Sequence, residues 1–387
     1  MLRPNGLESL RIGMVTFGSI LQPRSGLPSR ARAVAEDLAD LGAFVYVLSV
    51  GETRDETITG RRGSIVVKAH RRRFLLGWSP GLGRQLRLLS RSTDVLVLES
   101  AQFFPICALF GVRKSIVWDT TECETLHYMR YPKNLESAIK LRIWRLLEGW
   151  SVKRASVVVA VSREEERSWR TIFPKSSQKL LTVVHRPLHA VDGDQGSGDT
   201  RAVGETLPRD YLVFVGNTLA KQNRVAVEWM RDQLVKELPS AVNLILVGAG
   251  TEELSGVGES GARIYGLGEV SDLGPVLSGA ALAVAPLSSG AGVKTKVLDY
   301  VAAGVEVVGT RTAFEGLRGC PGLIEAELDD FPRRIVEVLQ RRADEGDRAD
   351  LKMRQRSWLE RNASPEVTRC QWVCVLSLIA EREGLLK

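Results

Sequence analysis

The chain is 387 residues long, 44% hydrophobic and 26% charged, with a formal net charge of +7. This is the composition of a globular protein, which excludes a disordered or fibrous chain, and the length points to two domains rather than one. No apolar run reaches membrane-spanning length, and the opening MLRPNGLESLRIGMVTF has no basic segment followed by an apolar one. No signal peptide and a cytoplasmic location are therefore expected.

In chain order, residues 11–17 read as a strand, 18–27 as a loop, 29–41 as a helix with Ala31, Val34, Ala35 and Leu38 on one face, and 43–50 as a strand. Residues 57–93 hold Arg61, Arg62, Lys68, Arg71, Arg72, Arg73, Arg84, Arg87 and Arg91 and no acidic residue, so the excess charge is local. Aromatics beside arginines at 70–78, followed by Leu82, Leu86 and Leu89 at helical spacing, suit either a solvated helix face over an ordinary core or a segment lying on an anionic membrane surface, with residues 61–91 as the contact. No recognition motif accompanies the charge, so nucleic acid is not an expected partner. Strands follow at 64–68, 94–99, 115–118, 156–161 and 180–184, with a helix over 135–153 and another over 163–171 capped by Ser162.

Residues 190–209, rich in Gly, Asp and Thr, read as a linker. A second strand and helix series opens at 211–216 and continues with strands at 243–247 and 263–265. Asp272 reads as a helix cap, and a last helix spans 365–383. Short apolar runs alternating with helices indicate an α/β protein with doubly wound parallel sheets.

The five cysteines, Cys107, Cys123, Cys320, Cys370 and Cys374, are scattered and read as buried thiols. With four histidines and no H-E-x-x-H pattern, no metal site is expected.

The most informative stretch is 281–317. An apolar strand ends in Pro286, and a loop of Ser288, Ser289, Gly290, Ala291 and Gly292 leads through Val293 into a helix carrying Lys294 and Lys296. Val297, Leu298 and Val301 form the helix's apolar stripe, with Asp299 off it, and Gly304 ends it before another strand. Strand, glycine loop, helix, strand is a βαβ unit, and its loop lies at the carboxyl end of the first strand, where open α/β sheets bind ligands. Free N–H groups at a helix start, with two lysines beside them, suit a diphosphate.

Gly290, Gly292, Lys294, Lys296, Leu298 and Asp299, followed by Glu315, Gly316 and Leu317, resemble the donor motif of the family-four retaining glycosyltransferases, in the subgroup with G-x-G-x-K-x-K-x-L-E and a later E-G-L. Gly216, Asn223, Ala226 and Trp229 resemble the opening of that subgroup's C-terminal domain. The resemblance implies the GT-B architecture: two Rossmann-like domains facing a cleft, here 1–189 on the acceptor side and 210–364 on the nucleotide-sugar side, with 365–387 crossing back to the first. It implies transfer of a sugar from a nucleotide-diphosphate sugar, with retention, without metal or other cofactor, to a glycan, lipid-linked or small-molecule acceptor. It also implies a peripheral position at the inner face of the cell membrane as one setting. Alternatives on the same architecture are a nucleotide-sugar epimerase and a catalytically weak binding or scaffold subunit.

By the same resemblance, Gly290, Ala291, Gly292, Val293, Lys294 and Lys296 would face the diphosphate, Asp299 the ribose and Glu315 the donor, with Gly216, Lys221, Gly18 and Gly26 as further donor contacts. The catalytic candidates are Lys296, Asp299, Asp119 and Glu122. Asp299 stands where the family usually has Glu, Thr121 where it often has His, and Asn217 where it often has Arg. Arg30 could reach a substrate phosphate or face solvent, and the second is the expectation.

Overall fold

The structure is a computed structural model that describes residues 10–23, 26–52, 54–59, 63–70, 79–130, 134–187, 207–208, 211–254, 256–257, 261–341 and 345–384. Most of the expected linker, and Arg61, Arg62 and residues 71–78 of the basic run, lie outside the described residues. The chain forms two compact units, one of residues 1–188 and 363–387 and the other of residues 189–362.

The first unit is built on an eight-stranded sheet in the order β3-β4-β2-β1-β5-β6-β7-β8. Its strands are β1 (Arg11–Phe17), β2 (Phe44–Val50), β3 (Glu56–Thr59), β4 (Ser64–His70), β5 (Val95–Leu98), β6 (Ile116–Asp119), β7 (Val157–Ala160) and β8 (Leu180–Thr182). All neighbours pair in parallel except β3, which runs antiparallel to β4 at the edge. The central strands are continuous apolar runs because both faces are covered and successive side chains point to opposite sides.

One face carries Ile12, Met14, Val45, Val47, Val97, Val117 and Val159. Helix α1 (Gly26–Asp40) covers it together with the last helix of the chain, Pro365–Glu383. The other face carries Val15, Leu48, Leu96, Leu98, Trp118 and Val158. It is covered by α2 (Pro80–Ser92), α3 (Phe103–Leu109), α5 (Leu135–Arg154) and α6 (Arg163–Ile172), while α4 (Glu124–Met129) precedes α5. Ser162 caps α6 by accepting from Glu165 N at 3.1 Å.

The second unit repeats the plan with seven strands in the order β11-β12-β10-β9-β13-β14-β15, all parallel except the β11–β12 pair. They are β9 (Tyr211–Val215), β10 (Asn243–Val247), β11 (Gly256–Val257), β12 (Arg263–Gly266), β13 (Ala280–Ala285), β14 (Val307–Gly309) and β15 (Leu323–Glu325). The helices used below are α7 (Lys221–Trp229), α8 (Gly274–Ser278) and α9 (Thr295–Ala302). Asp272 accepts from Gly274 N at 2.8 Å at the start of α8.

The cysteines depart from expectation: Cys107, Cys123 and Cys320 are buried, but Cys370 and Cys374 are exposed. They sit one turn apart on the last helix, on the side away from Trp372, Val375 and Ile379, which face the sheet.

Candidate donor site and strand-end cluster

β13 is buried along its whole length and lies between β9 and β14, so its carboxyl end opens in the middle of the second sheet. The loop that follows is tied at its base by Thr310, whose hydroxyl donates to Leu287 O at 2.6 Å while its N–H donates to Ala285 O at 3.2 Å. Gly290 and Gly292 have φ of 117° and 70°, the left-handed region that favours glycine. A Cβ at Gly290 would also press on the Lys294 stem at 3.3 Å.

Helix α9 begins at Thr295 rather than at Lys294. Lys294 is the N-cap residue, and its cationic side chain cannot accept a hydrogen bond there. Instead its Nζ turns back and donates to Ala291 O at 2.9 Å and Gly292 O at 2.7 Å, with Glu315 Oε2 at 4.0 Å. Lys294 thereby stitches the loop into one shape. The N–H groups of Ala291, Gly292, Val293, Thr295 and Lys296 meet no protein acceptor among the described residues.

Lys296 points the other way, toward the end of β9. Its Nζ donates to Asn223 Oδ1 at 2.7 Å and lies 4.0 Å from the centre of the Phe214 ring. Asn223 in turn donates through Nδ2 to Asn217 O at 2.9 Å. A Cβ at Gly216 would stand 2.8 Å from Lys296 Nζ and 2.9 Å from Phe214, so only glycine leaves room for the ammonium here. Burial, with the nearby charge of Lys294 second, pulls the Lys296 pKa down to about 7.

One turn on, the Asp299 side chain makes no hydrogen bond or ion pair among the described residues. Its dense surround pushes its pKa up to about 7, although part of the side chain remains open to solvent. Next to it, the Tyr300 hydroxyl accepts from Val215 N at 2.7 Å and fixes the helix against β9.

The loop residues Gly290, Ala291, Gly292, Val293 and Lys294 thus lie together with Lys296, Asp299, Glu315 and Gly216. Lys221 is exposed in the first turn of α7. Phe214 and Thr310 belong to the site and were not expected. Their contacts reach across 82 and 23 residues, and no local spacing signals them.

In the first unit, Gly18 has φ of 89° at the end of β1 and accepts from Ser49 Oγ at 2.6 Å, and Gly26 opens α1. Arg30 corrects the sequence expectation, since it is buried and not at the solvent face. It forms a two-pronged pair with Asp119 at the end of β6, Nε to Oδ2 at 2.9 Å and a terminal nitrogen to Oδ1 at 2.5 Å, and donates to Val183 O at 3.2 Å. A helix residue and a strand end 89 positions apart meet because α1 folds over the sheet.

Glu99, just past the end of β5, is buried beside Thr16 and Asp119. Burial first and the neighbouring Asp119 second push its pKa well above the usual range. Burial also raises Asp119 despite Arg30. His185 is buried nearby, its pKa pulled down to about 3 by burial, with Arg30 and Arg186 adding to the effect. Glu122 is half-buried, with Oε2 3.5 Å from His127 Nδ1. Among the described residues no cluster of three or more His, Cys, Asp or Glu side chains could hold a metal ion.

Two parallel-sheet units, the second with a glycine loop and helix start at the carboxyl end of its central strands, define the GT-B class of glycosyltransferase. The family model for Glycosyl transferases group 1 matches residues 209–341, and that for the Glycosyl transferase 4-like domain matches residues 25–185. These two matches cover most of the chain, which belongs to this glycosyltransferase family.

Solved structures agree in fold. The sucrose-phosphate synthase of Thermosynechococcus elongatus superposes with a TM-score of 0.73 at 14% identity, over 96% of this chain and 100% of that one. An α,α-trehalose-phosphate synthase (UDP-forming) from Burkholderia vietnamiensis gives 0.68 at 12% identity, over 97% and 98%. Anabaena HepE in complex with UDP-glucose gives 0.64 at 13% identity, over 95% and 100%. No curated protein matches the chain in sequence.

Proposed function

We propose that the chain transfers a sugar, with retention, from a nucleotide-diphosphate sugar bound on the second unit. The observation that carries this reading is the Asp299 side chain, without a partner among the described residues, one turn from the N–H groups of Thr295 and Lys296, which meet no protein acceptor among those residues. A carboxylate and an anion cradle side by side match the two ends of a nucleoside diphosphate, ribose hydroxyls and phosphates.

Sugar transfer builds positive charge on the sugar and negative charge on the departing diphosphate. Preorganised donors aimed at the growing charge are the main means of lowering such a barrier. Here those donors are the N–H groups of Ala291, Gly292, Val293, Thr295 and Lys296 and the Lys296 ammonium, while Lys294 holds the loop in shape. No step assigned to these side chains needs a metal ion. In the first unit Glu122, which is half-buried, is the candidate for the acceptor, whereas Asp119 is fully buried and tied to Arg30 through both oxygens, a positioning role. The complex of Anabaena HepE with UDP-glucose makes UDP the first nucleotide to try.

The test is a calorimetric titration with a panel of nucleoside diphosphates, in EDTA, on the wild type and on Lys296→Ala and Asp299→Ala. One nucleotide should bind to the wild type, and each variant should weaken it. No binding by any diphosphate, or full affinity in Asp299→Ala, would overturn the assignment. Incubating the donor alone and analysing its sugar separates transfer from epimerisation.

A further inference from the structure

Helix α5 has two apolar sides, where a surface helix ordinarily has one. Trp144, Leu147 and Val152 pack into the core of the first unit. On the opposite side Leu135, Ile139, Ile143 and Leu146 are 79%, 51%, 57% and 71% exposed. Their spacing of four, four and three places them in one outward row along the helix. A contiguous exposed apolar row of this kind marks a contact surface rather than chance exposure.

The exposed charges around the row are mostly cationic. Arg142, Arg145 and Lys153 are exposed along it, and the only exposed carboxylate of α5 is Glu136, paired with Lys140. The same helix layer includes α2 and α3, neither of which contains a carboxylate. α2 exposes Arg84, Arg87 and Arg91 around Leu88, itself 63% exposed, and α3 exposes Leu109 at 77%. Apolar side chains flanked by cations are complementary to anionic lipid, whose headgroups attract the cations while the interface takes up the side chains. A second copy of the chain would instead set these cations against their own kind. No helix among the described residues is long and apolar enough to cross a membrane, so the contact is in the plane of the interface.

We propose that the outer face of α2, α3 and α5 docks the protein on an anionic membrane surface, with the Leu135–Leu146 row of α5 entering the lipid–water interface. This surface is separate from the donor site, so its test is independent of the proposed reaction.

The experiment is co-sedimentation of the full chain with phosphatidylcholine vesicles, with and without phosphatidylglycerol, beside sedimentation velocity without lipid. Binding should require phosphatidylglycerol and weaken with salt. It should fall by roughly tenfold or more in both Ile139→Glu/Ile143→Glu and Arg142→Glu/Arg145→Glu. Because these side chains are exposed, both variants should melt as the wild type does and keep its nucleotide affinity. A wild type that stays in the supernatant with anionic vesicles would overturn the proposal. So would undiminished binding by Ile139→Glu/Ile143→Glu. A dimer abolished by that variant, with no vesicle binding, would assign the row to a second copy.

Discussion

Lys296 and Asp299 set opposite charges one turn apart without neutralising each other, and both have pKa values near 7. The consequence for stability can be signed. Lys296 titrates lower in the folded than in the unfolded protein, so its contribution is present above the ordinary lysine value and is lost as pH falls through about 7. Asp299 titrates higher when folded, so its contribution is present below the ordinary aspartate value and is lost as pH rises through about 7. Near neutrality the ligand-free protein therefore carries nearly the full cost of both groups. Asp299→Asn should raise the melting temperature at pH 8, where the aspartate is ionised, and raise it less at pH 5, which lies inside the window between the ordinary aspartate value and about 7. The opposite ordering would show that Asp299 has a partner in solution.

Ligand binding should move these protons. A diphosphate favours charged Lys296 and so takes up a proton at pH 8, whereas ribose hydroxyls favour ionised Asp299 and release one at pH 6. Titration calorimetry in buffers of different ionisation enthalpy should find uptake at pH 8 and release at pH 6. The same sign at both values would contradict the assignment. Asp299→Ala should weaken nucleotide binding roughly 10–100-fold, the span expected for hydrogen bonds to a charged group.

Among the elements, α9 and its loop depend on close approach to the end of β9. Gly216→Ala would put a methyl group 2.8 Å from the Lys296 ammonium, and should reduce nucleotide affinity more than it lowers stability. The last helix works differently, as a fastener. Trp372 is fully buried between it and the first sheet, Thr368 Oγ1 donates to Asp37 Oδ2 at 2.6 Å, and Gln371 Oε1 accepts from Val184 N at 2.8 Å. Trp372→Ala should cost about 3–5 kcal/mol in urea unfolding of the first unit, the usual range for deleting a buried aromatic.

For the whole molecule, the donor assignment predicts where a nucleoside diphosphate slows amide exchange. Protection should rise over residues 286–297 and at the end of β9, and stay unchanged along α5. Protection confined to the first unit would place the nucleotide elsewhere. A ligand at a hundred times its Kd adds about 2.7 kcal/mol to the stability of the state it binds, enough to read by thermal unfolding.

Periodicity and punctuation alone determined the α/β class, the parallel strands and the helix bounds of α5, α6 and α9 to within a residue or two. These signals are local: alternating faces, a Ser cap, a glycine stop. The glycine loop and the lysines of the donor motif were legible for the same reason, since they lie within one βαβ unit. Only the tertiary structure decided that Arg30 is buried against Asp119, that Lys296 rests on Phe214 and Asn223, that Lys294 braces its own loop, and that α5 turns a second apolar row outward. The first two join residues tens of positions apart, the third depends on which way one flexible side chain turns, and the last on which face of a helix meets the sheet. All four are set when elements pack, because the chain's local preferences do not encode which distant groups will share a desolvated space.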